Sequence, residues 1–329
     1  DTRTEEGNAI LRKLAGDADV FLTNVRPGGL SRAGLDYESL AKANRKLVYC
    51  TLTGYGLQGP DADKPGFDVA AFWSHSGVAN LTIPKGQEPF PVRTAFGDHT
   101  TSMAAAAGIC AALVNAQRTG EGQLVEASLL RAALYAMGSD LAIQLFFNRI
   151  GSTKSRHETI QPLMNFFKTS DDAWICIVSR QGSVDWAPIC RACGREDIID
   201  DERFTNAKGR RANSAVLVDL LDEGFARFTK AEMAARLDAE SIAWAPVQTL
   251  AEVAADPQVE AAGAITQVPS ASGDGSTFKS PTSPFRFPGV DDGPSGPSPS
   301  LGAHTRDILD ELGYSAGEID GLFESGAVS

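Results

Sequence analysis

"DVFLTNVRPGGLSRAGLDYESLAKANRKLVYCTLTGYG", Asp19 to Gly56, is the stretch that decides the fold class. An apolar run, Asp19–Val25, stops at the Pro-Gly turn RPGG. A helical pattern follows in LDYESLAKANRKL, and a second apolar run, LVYCTLTGYG, ends in glycines. With a further helical pattern over residues 5–16, helix and strand alternate at the spacing of a parallel α/β sheet. Such sheets bind ligands outside the carboxyl ends of their strands, so the loops Asn24–Gly29 and Thr53–Gly59 are candidate site loops.

Beyond this stretch, residues 66–82 and 99–117 read as helices. The second is poor in bulky side chains (Ala104–Ala107, Gly108, Ala111, Ala112), so other backbone can approach it closely. EGQLVEASLLRAALYAMGSDLAIQLFF supplies a short strand and a long apolar helix. Near Pro162 the texture changes. NFFKTSDDAWICIVS predicts a hairpin turning at Ser170–Asp172, with amphipathic helices at 183–193, 212–227 and 230–239. SIAWAPVQTLAEVAADPQVEAAGAITQV reads as strand, helix and strand. Residues 269–300, rich in Pro, Gly and Ser, read as an extended connector, and a helix pair closes the chain.

The hydrophobic fraction of 43% and charged fraction of 22% are those of an ordinary soluble globular protein. Forty-two acidic against 30 basic residues leave a net charge of −12, which argues against nucleic acid or an anionic membrane surface as the main partner. No apolar run reaches the ~18 residues of a transmembrane helix. The five cysteines are scattered, unlike a secreted disulfide framework. Cys190 and Cys193 form a C-x-x-C, but they sit in a helical pattern ending at Gly194, and no second Cys/His pair stands at metal spacing; no metal is expected. G-x-S-x-G, G-x-G-x-x-G, P-loop and H-E-x-x-H signatures are absent from the sequence. The chain opens without an initiator Met or a targeting peptide. It reads like the middle of an α/β unit, so an N-terminal piece is expected to be missing.

The chemistry concentrates in RTAFGDHTTSMAAAAGICAALV, Arg93 to Val114. Asp98 follows Gly97, which permits an unusual backbone angle. It precedes a helix whose free N–H groups and dipole favour an ionised carboxylate. Two readings stand side by side: Asp98 caps the helix, for which Asp is a preferred residue, or it is a nucleophile aimed at a carbonyl.

Several motifs resemble the class III CoA-transferases, the group of formyl-CoA, carnitine and bile-acid CoA-transferases and the α-methylacyl-CoA racemases. They are N-x-R-P-G (Asn24–Gly28), Arg32–Leu35, LVYCTLTGYGLQGP (Leu47–Pro60), PGFD (Pro65–Asp68), GD (Gly97–Asp98), Arg118–Leu130, Trp244–Val259 and Leu301–Ile319. The resemblance spans nearly all of the chain. It implies a Rossmann-like large domain with a parallel sheet, built from both chain ends, plus a smaller α+β domain, in an interlinked homodimer. The expected division is 1–150 (large domain), 151–161 (linker), 162–268 (small domain), 269–284 (linker) and 285–329 (return to the large domain). The family also begins with a strand–helix segment that this chain lacks.

The resemblance further implies a cytoplasmic acyl-CoA:carboxylate CoA-transferase with no tightly bound cofactor, taking acyl-CoA and a carboxylic acid. Asp98 would attack the thioester, giving an acyl-aspartyl anhydride and then an aspartyl-CoA thioester. The residues expected at the CoA are Asn24, Arg26, Arg32, Gly54, Tyr55, Lys64 and Asp68, with Arg32 favoured over Arg26 for a phosphate. Phe67 and His99 are candidates for the substrate pocket. Phe67 replaces the histidine of the racemases' G-H-D and cannot take a proton, which disfavours an α-proton-transfer racemase. A CoA-binding subunit without turnover is the remaining alternative.

Overall fold

In the computed structural model all residues are described except Lys85, Pro91, Thr94, Ile150–Ser152, Gln181, Gly182, Asp291, Asp292 and Ser295. Helix α1 (Glu5–Asp17) starts where the Thr4 side chain accepts the Gly7 amide. Strand β1 (Val20–Thr23), helices α2 (Pro27–Ala33) and α3 (Tyr37–Ala43), and strand β2 (Val48–Thr53) follow. The RPGG stretch, read as a turn, instead starts α2. Pro27 takes the first helical position, where its fixed φ fits and its missing N–H is not needed. A π-helical segment, Asp68–His75, is separated from α4 (Val78–Thr82) by Gly77 at φ 96°, so the single helix expected over 66–82 is two pieces.

Helix α5 (Phe96–Thr119) precedes strand β3 (Leu124–Ser128), and α6 (Leu129–Ala136) and α7 (Gly138–Phe147) divide the expected long apolar helix at Met137. Strands β1, β2 and β3 pair in parallel in that order, with Val20 opposite Val48 and Tyr49 opposite Leu124. β2 is buried on both faces because side chains alternate along a strand. Tyr49 packs among Leu30, Leu35 and Leu40, whereas Val48 and Cys50 meet the Ala112, Ala116 and Ala105 stripe of α5.

The next part of the chain has its own sheet and core. Strands β4 (Met164–Lys168) and β5 (Trp174–Val178) form the expected hairpin, and helices α8 (Trp186–Ala192), α9 (Ala207–Ala212), α10 (Ser214–Phe225) and α11 (Lys230–Ala239) pack beside it. Strand β6 (Ala243–Pro246) joins β5 antiparallel. Cys190 and Cys193 are fully buried in this core among Phe167, Leu217 and Phe225. Burial pushes both thiols up, Cys193 to about 12, which suppresses the reactive thiolate. His157 Nε2 lies 3.3 Å from Asp219 and 3.9 Å from Asp222, but Arg156 already pairs with Asp222 and balances part of that charge.

Helices α12 (Leu250–Ala254) and α13 (Pro257–Ala261) lead to strands β7 (Ile265–Pro269) and β8 (Thr277–Pro281), paired antiparallel with Val268 opposite Phe278. The expected linker 269–284 therefore holds strand β8, whose backbone is satisfied by β7. Helices α14 (Thr305–Glu311) and α15 (Ala316–Glu324) set Leu309 and Ile319 against Ile10 of α1. The chain packs as two compact units, Asp1–Thr153 with Ser300–Ser329, and Lys154–Pro299. The return to the first unit thus falls at Ser300, not at the expected residue 285.

Tyr49 is 2% exposed and donates its hydroxyl to Leu35 O at 2.8 Å. Burial, aided by the Asp36 charge, pushes its phenol from 10.0 up to about 12. A raised folded pKa leaves stability intact below the unfolded value and erodes it as pH climbs toward the folded one. Urea unfolding should therefore show a loss on the order of 2–3 kcal/mol between about pH 10 and about pH 12. Tyr49→Phe should lower stability by about 1 kcal/mol at neutral pH and flatten that alkaline loss. An equally steep loss in the variant would assign the titration to other groups.

Candidate active site

The carboxyl ends of all three parallel strands open on one cleft of about 590 Å³. Asn24, Arg26 and Pro27 follow β1, Thr53 and Gly54 end β2, and Leu129 follows β3. Lys64, Gly66 and Phe67 form a further wall, and Asp98, Thr101 and Ser102 enter from the first turns of α5. Both loops singled out by position in the sequence contribute.

The walls stay close because two glycines cross. A Cβ built on Gly54 would lie 2.7 Å from the Gly66 Cα, and one on Gly66 would lie 2.6 Å from the Gly54 Cα. Real Cβ atoms do not approach backbone that closely, so both positions need the bare chain. Leu130 donates to Gly54 O at 3.0 Å, and the Glu126 carboxylate accepts the Leu57 amide at 3.0 Å, fastening the loop after β2 to β3 and α6.

Asp98 is not the helix cap. The capping position is Ala95, and Asp98 stands third in the first turn of α5, where the helix dipole favours a negative charge. Its side chain is exposed to the cleft, and no cation or donor among the described residues pairs with it. The unusual backbone angle expected at Gly97 falls instead on Ala95, at φ 77°. Gly97 is required for space: a Cβ there would meet Asp68 Oδ1 at 2.2 Å and Phe72 Cγ at 2.3 Å.

The structure brings Asn24, Arg26, Gly54, Lys64, Phe67 and Asp98 to the cleft wall. It does not bring Arg32, Tyr55, Asp68 or His99 there. Arg32 is exposed on α2, its guanidinium folded back toward Gly28, and no carboxylate among the described residues pairs with it or with Arg26. Tyr55 backs the wall, stacking edge-on against His75 at 5.1 Å with the Lys64 ammonium 5.5 Å above its ring. His99 follows Asp98 on the helix, and a one-residue step turns the side chain about 100°, away from the cleft. Asp68, expected at the CoA, is 5% exposed, with Oδ1 taken by the Gly97 amide at 2.9 Å. Its carboxylate is buried behind the wall, out of a ligand's reach.

Thr101 and Ser102 were not singled out from the sequence as site residues. Their signal is the helical step of three or four residues from Asp98, which returns to the same face. Thr101 is 1% exposed and donates to Gly97 O at 2.7 Å. Arg26 and Lys64 are the two cations on the wall and Asp98 the one carboxylate among its described residues. That arrangement suits an anionic ligand whose reacting carbonyl meets a carboxylate.

The family profile of CoA-transferase family III matches residues 1–305. The chain is 31% identical over 326 residues to the (R)-2-hydroxy-4-methylpentanoate CoA-transferase of Clostridioides difficile, covering 99% of this chain and 81% of that protein. It is 32% identical over 324 residues to the cinnamoyl-CoA:phenyllactate CoA-transferase of Clostridium sporogenes, covering 97% and 78%. Among solved structures, a CAIB/BAIF family protein from Brucella suis superposes with a TM-score of 0.82 at 29% identity, covering 95% of this chain and 80% of that one.

The glycine crossing yields a direct test. Gly54→Ala should cost about 1–3 kcal/mol, the range for forced overpacking, and should part the loops after β2 and before Phe67. Thermal unfolding of the variant measures it. An unchanged midpoint would mean that the loops separate freely and the crossing holds nothing in place.

Proposed function

The chain belongs to CoA-transferase family III, and from that premise we propose that it moves CoA from an acyl-CoA to a carboxylic acid with Asp98 as the nucleophile. The observation that carries the reading is an exposed carboxylate, unpaired among the described residues, at the mouth of a long helix, on the wall of a cleft that also bears Arg26 and Lys64. The resemblance in sequence and the names of the relatives support the same reaction class.

The cycle then consists of four exchanges between carboxylate and thiolate. The Asp98 oxygen adds to the thioester carbonyl, and CoA thiolate leaves to give an acyl-aspartyl anhydride. The thiolate returns to the aspartyl carbonyl, releasing the donor acid and leaving an aspartyl-CoA thioester. The acceptor carboxylate attacks that thioester, expelling the thiolate and forming a second anhydride. Thiolate attack on the acceptor's acyl carbon yields the new acyl-CoA and restores Asp98. Each step trades one anion for another and moves no proton, so no general base is called for.

A carboxylate is a weak nucleophile, and positioning and charge stabilisation must raise its rate. The N-terminal turn of α5 supplies a favourable dipole for the charge that develops there. Arg26 and Lys64 on the cleft wall, and Arg32 exposed on α2 outside it, would hold the CoA phosphates, with guanidinium giving paired hydrogen bonds. In this reading the enzyme is cytoplasmic and works as a homodimer. Tyr135, Leu145 and Phe146, 88%, 77% and 82% exposed on α6 and α7, support a covered surface of that kind.

Asp98→Asn keeps the shape but has no anionic oxygen, so transfer should fall by several orders of magnitude while CoA affinity stays near wild type. Hydroxylamine should label wild-type enzyme at Asp98 during turnover, and in deuterated buffer the α-hydrogen of a 2-methylacyl-CoA should stay unexchanged. A fully active Asn variant, or a label mapped to another residue, would remove the nucleophile from this scheme.

Arg26→Ala and Arg32→Ala should each weaken CoA binding by about 1.5–3 kcal/mol, as for hydrogen bonds to charged groups. Calorimetry with CoA alone reads this directly, and unchanged affinity would return either arginine to solvated surface charge.

A further inference from the structure

We propose that Asp68 is the positioning residue for Asp98, fixing the nucleophile from behind the cleft wall without touching the substrate. The proposal rests on the reading of Asp98 as nucleophile given above.

The first turn of a helix leaves amides unpaired, and a Ser, Thr, Asn or Asp at the capping position usually takes one of them. At α5 that position is Ala95, whose side chain can accept nothing. The task passes to Asp68, 29 residues earlier, whose Oδ1 accepts the Gly97 amide at 2.9 Å. A buried carboxylate is costly unless it is held by partners, yet Asp68 Oδ2 is enclosed with no partner among the described residues. The cap therefore comes from a distant segment, and it seats the first turn of α5 against residues 67 and 68.

What it places is visible in the pairing of neighbours. Phe67 and Asp98 face the cleft, and the residues beside them, Asp68 and Gly97, are joined behind it. One hydrogen bond therefore ties the wall carrying Phe67 and Lys64 to the turn carrying the nucleophile. The fit leaves no slack, because Gly97 lies against both Asp68 and the Phe72 ring too closely to admit a Cβ. On its other side, Thr101 donates to the Gly97 carbonyl at 2.7 Å, so both polar groups of Gly97 are held by side chains. Attack on a carbonyl tolerates little displacement, and a shift of about 1 Å can cost on the order of 10²-fold in rate.

The experiment compares Asp68→Ala, Asp68→Asn and the Asp98→Asn reference, reading kcat and KM in steady state, CoA affinity by calorimetry, and the rate of hydroxylamine labelling at Asp98. Asp68→Ala should lower kcat by roughly 10- to 100-fold, and the labelling rate in proportion, with CoA affinity within about twofold of wild type. Asp68→Asn keeps an acceptor oxygen for the Gly97 amide and should recover most of the loss. Unchanged kcat in Asp68→Ala, a loss confined to CoA affinity, or an Asn variant as impaired as the Ala variant would each overturn the proposal. Should Asp68→Ala fail to fold, Gly97→Ala makes the same test by pushing the two groups apart. It should lower kcat with CoA affinity kept, and a retained kcat would overturn the idea. A fully active Asp98→Asn would instead sink the nucleophile itself, whatever the Asp68 variants do.

Discussion

A helix can lie only as close to a sheet as its side chains allow, and α5 meets β2 through the smallest ones available. Thr101, Ala105, Ala112 and Ala116 are buried on one stripe, and a Cβ on Gly108 of that stripe would come within 2.9 Å of Val125. This close seating fixes the height and tilt of a helix of 24 residues, and so fixes where its first turn emerges. The site inherits its geometry from that contact: Asp98 reaches the carboxyl edge of the strands because the rest of the helix lies flat against them. Larger residues on the stripe would lift the whole turn away from the loops that carry Arg26 and Gly54.

The cleft divides its labour between faces. Exposed groups, namely Asp98, Phe67, Lys64 and Arg26, face the cleft, while buried polar groups, namely Asp68 and Thr101, hold the backbone beneath them. No histidine stands among the described wall residues. Electrostatics then act mainly through position. Two cations line the same cleft as one carboxylate, which sits at a helix start and has no partner of its own among the described residues.

Periodicity made much of this legible. The alternation over Asp19–Gly56 predicted the parallel strands, and the alanine run predicted a close-packed helix. The spacing of NFFKTSDDAWICIVS predicted the β4–β5 hairpin. Local pattern does not encode contacts between distant residues. Nothing near Gly97 announces that its missing Cβ makes room for Asp68 and Phe72, so its glycine was read as a backbone angle that Ala95 in fact adopts. Likewise, PGFD showed Asp68 as a polar residue in a motif, and only the fold reveals that it is turned inward. The Pro- and Gly-rich composition around residues 269–284 hid strand β8, whose partner β7 satisfies its backbone despite weak strand propensity.

The packing of Ile10 against Leu309 and Ile319 has a consequence for synthesis of the chain. On the ribosome, α1 emerges early, but the helices that cover it are translated after the whole of residues 154–299. That intervening unit has its own sheet and core and can complete them first, since domains fold largely as units during translation. The first unit must wait with an uncovered apolar flank until the last turns of α15 are released. That closure joins residues about 300 positions apart, and contacts of such long sequence separation are the ones that chains form slowly.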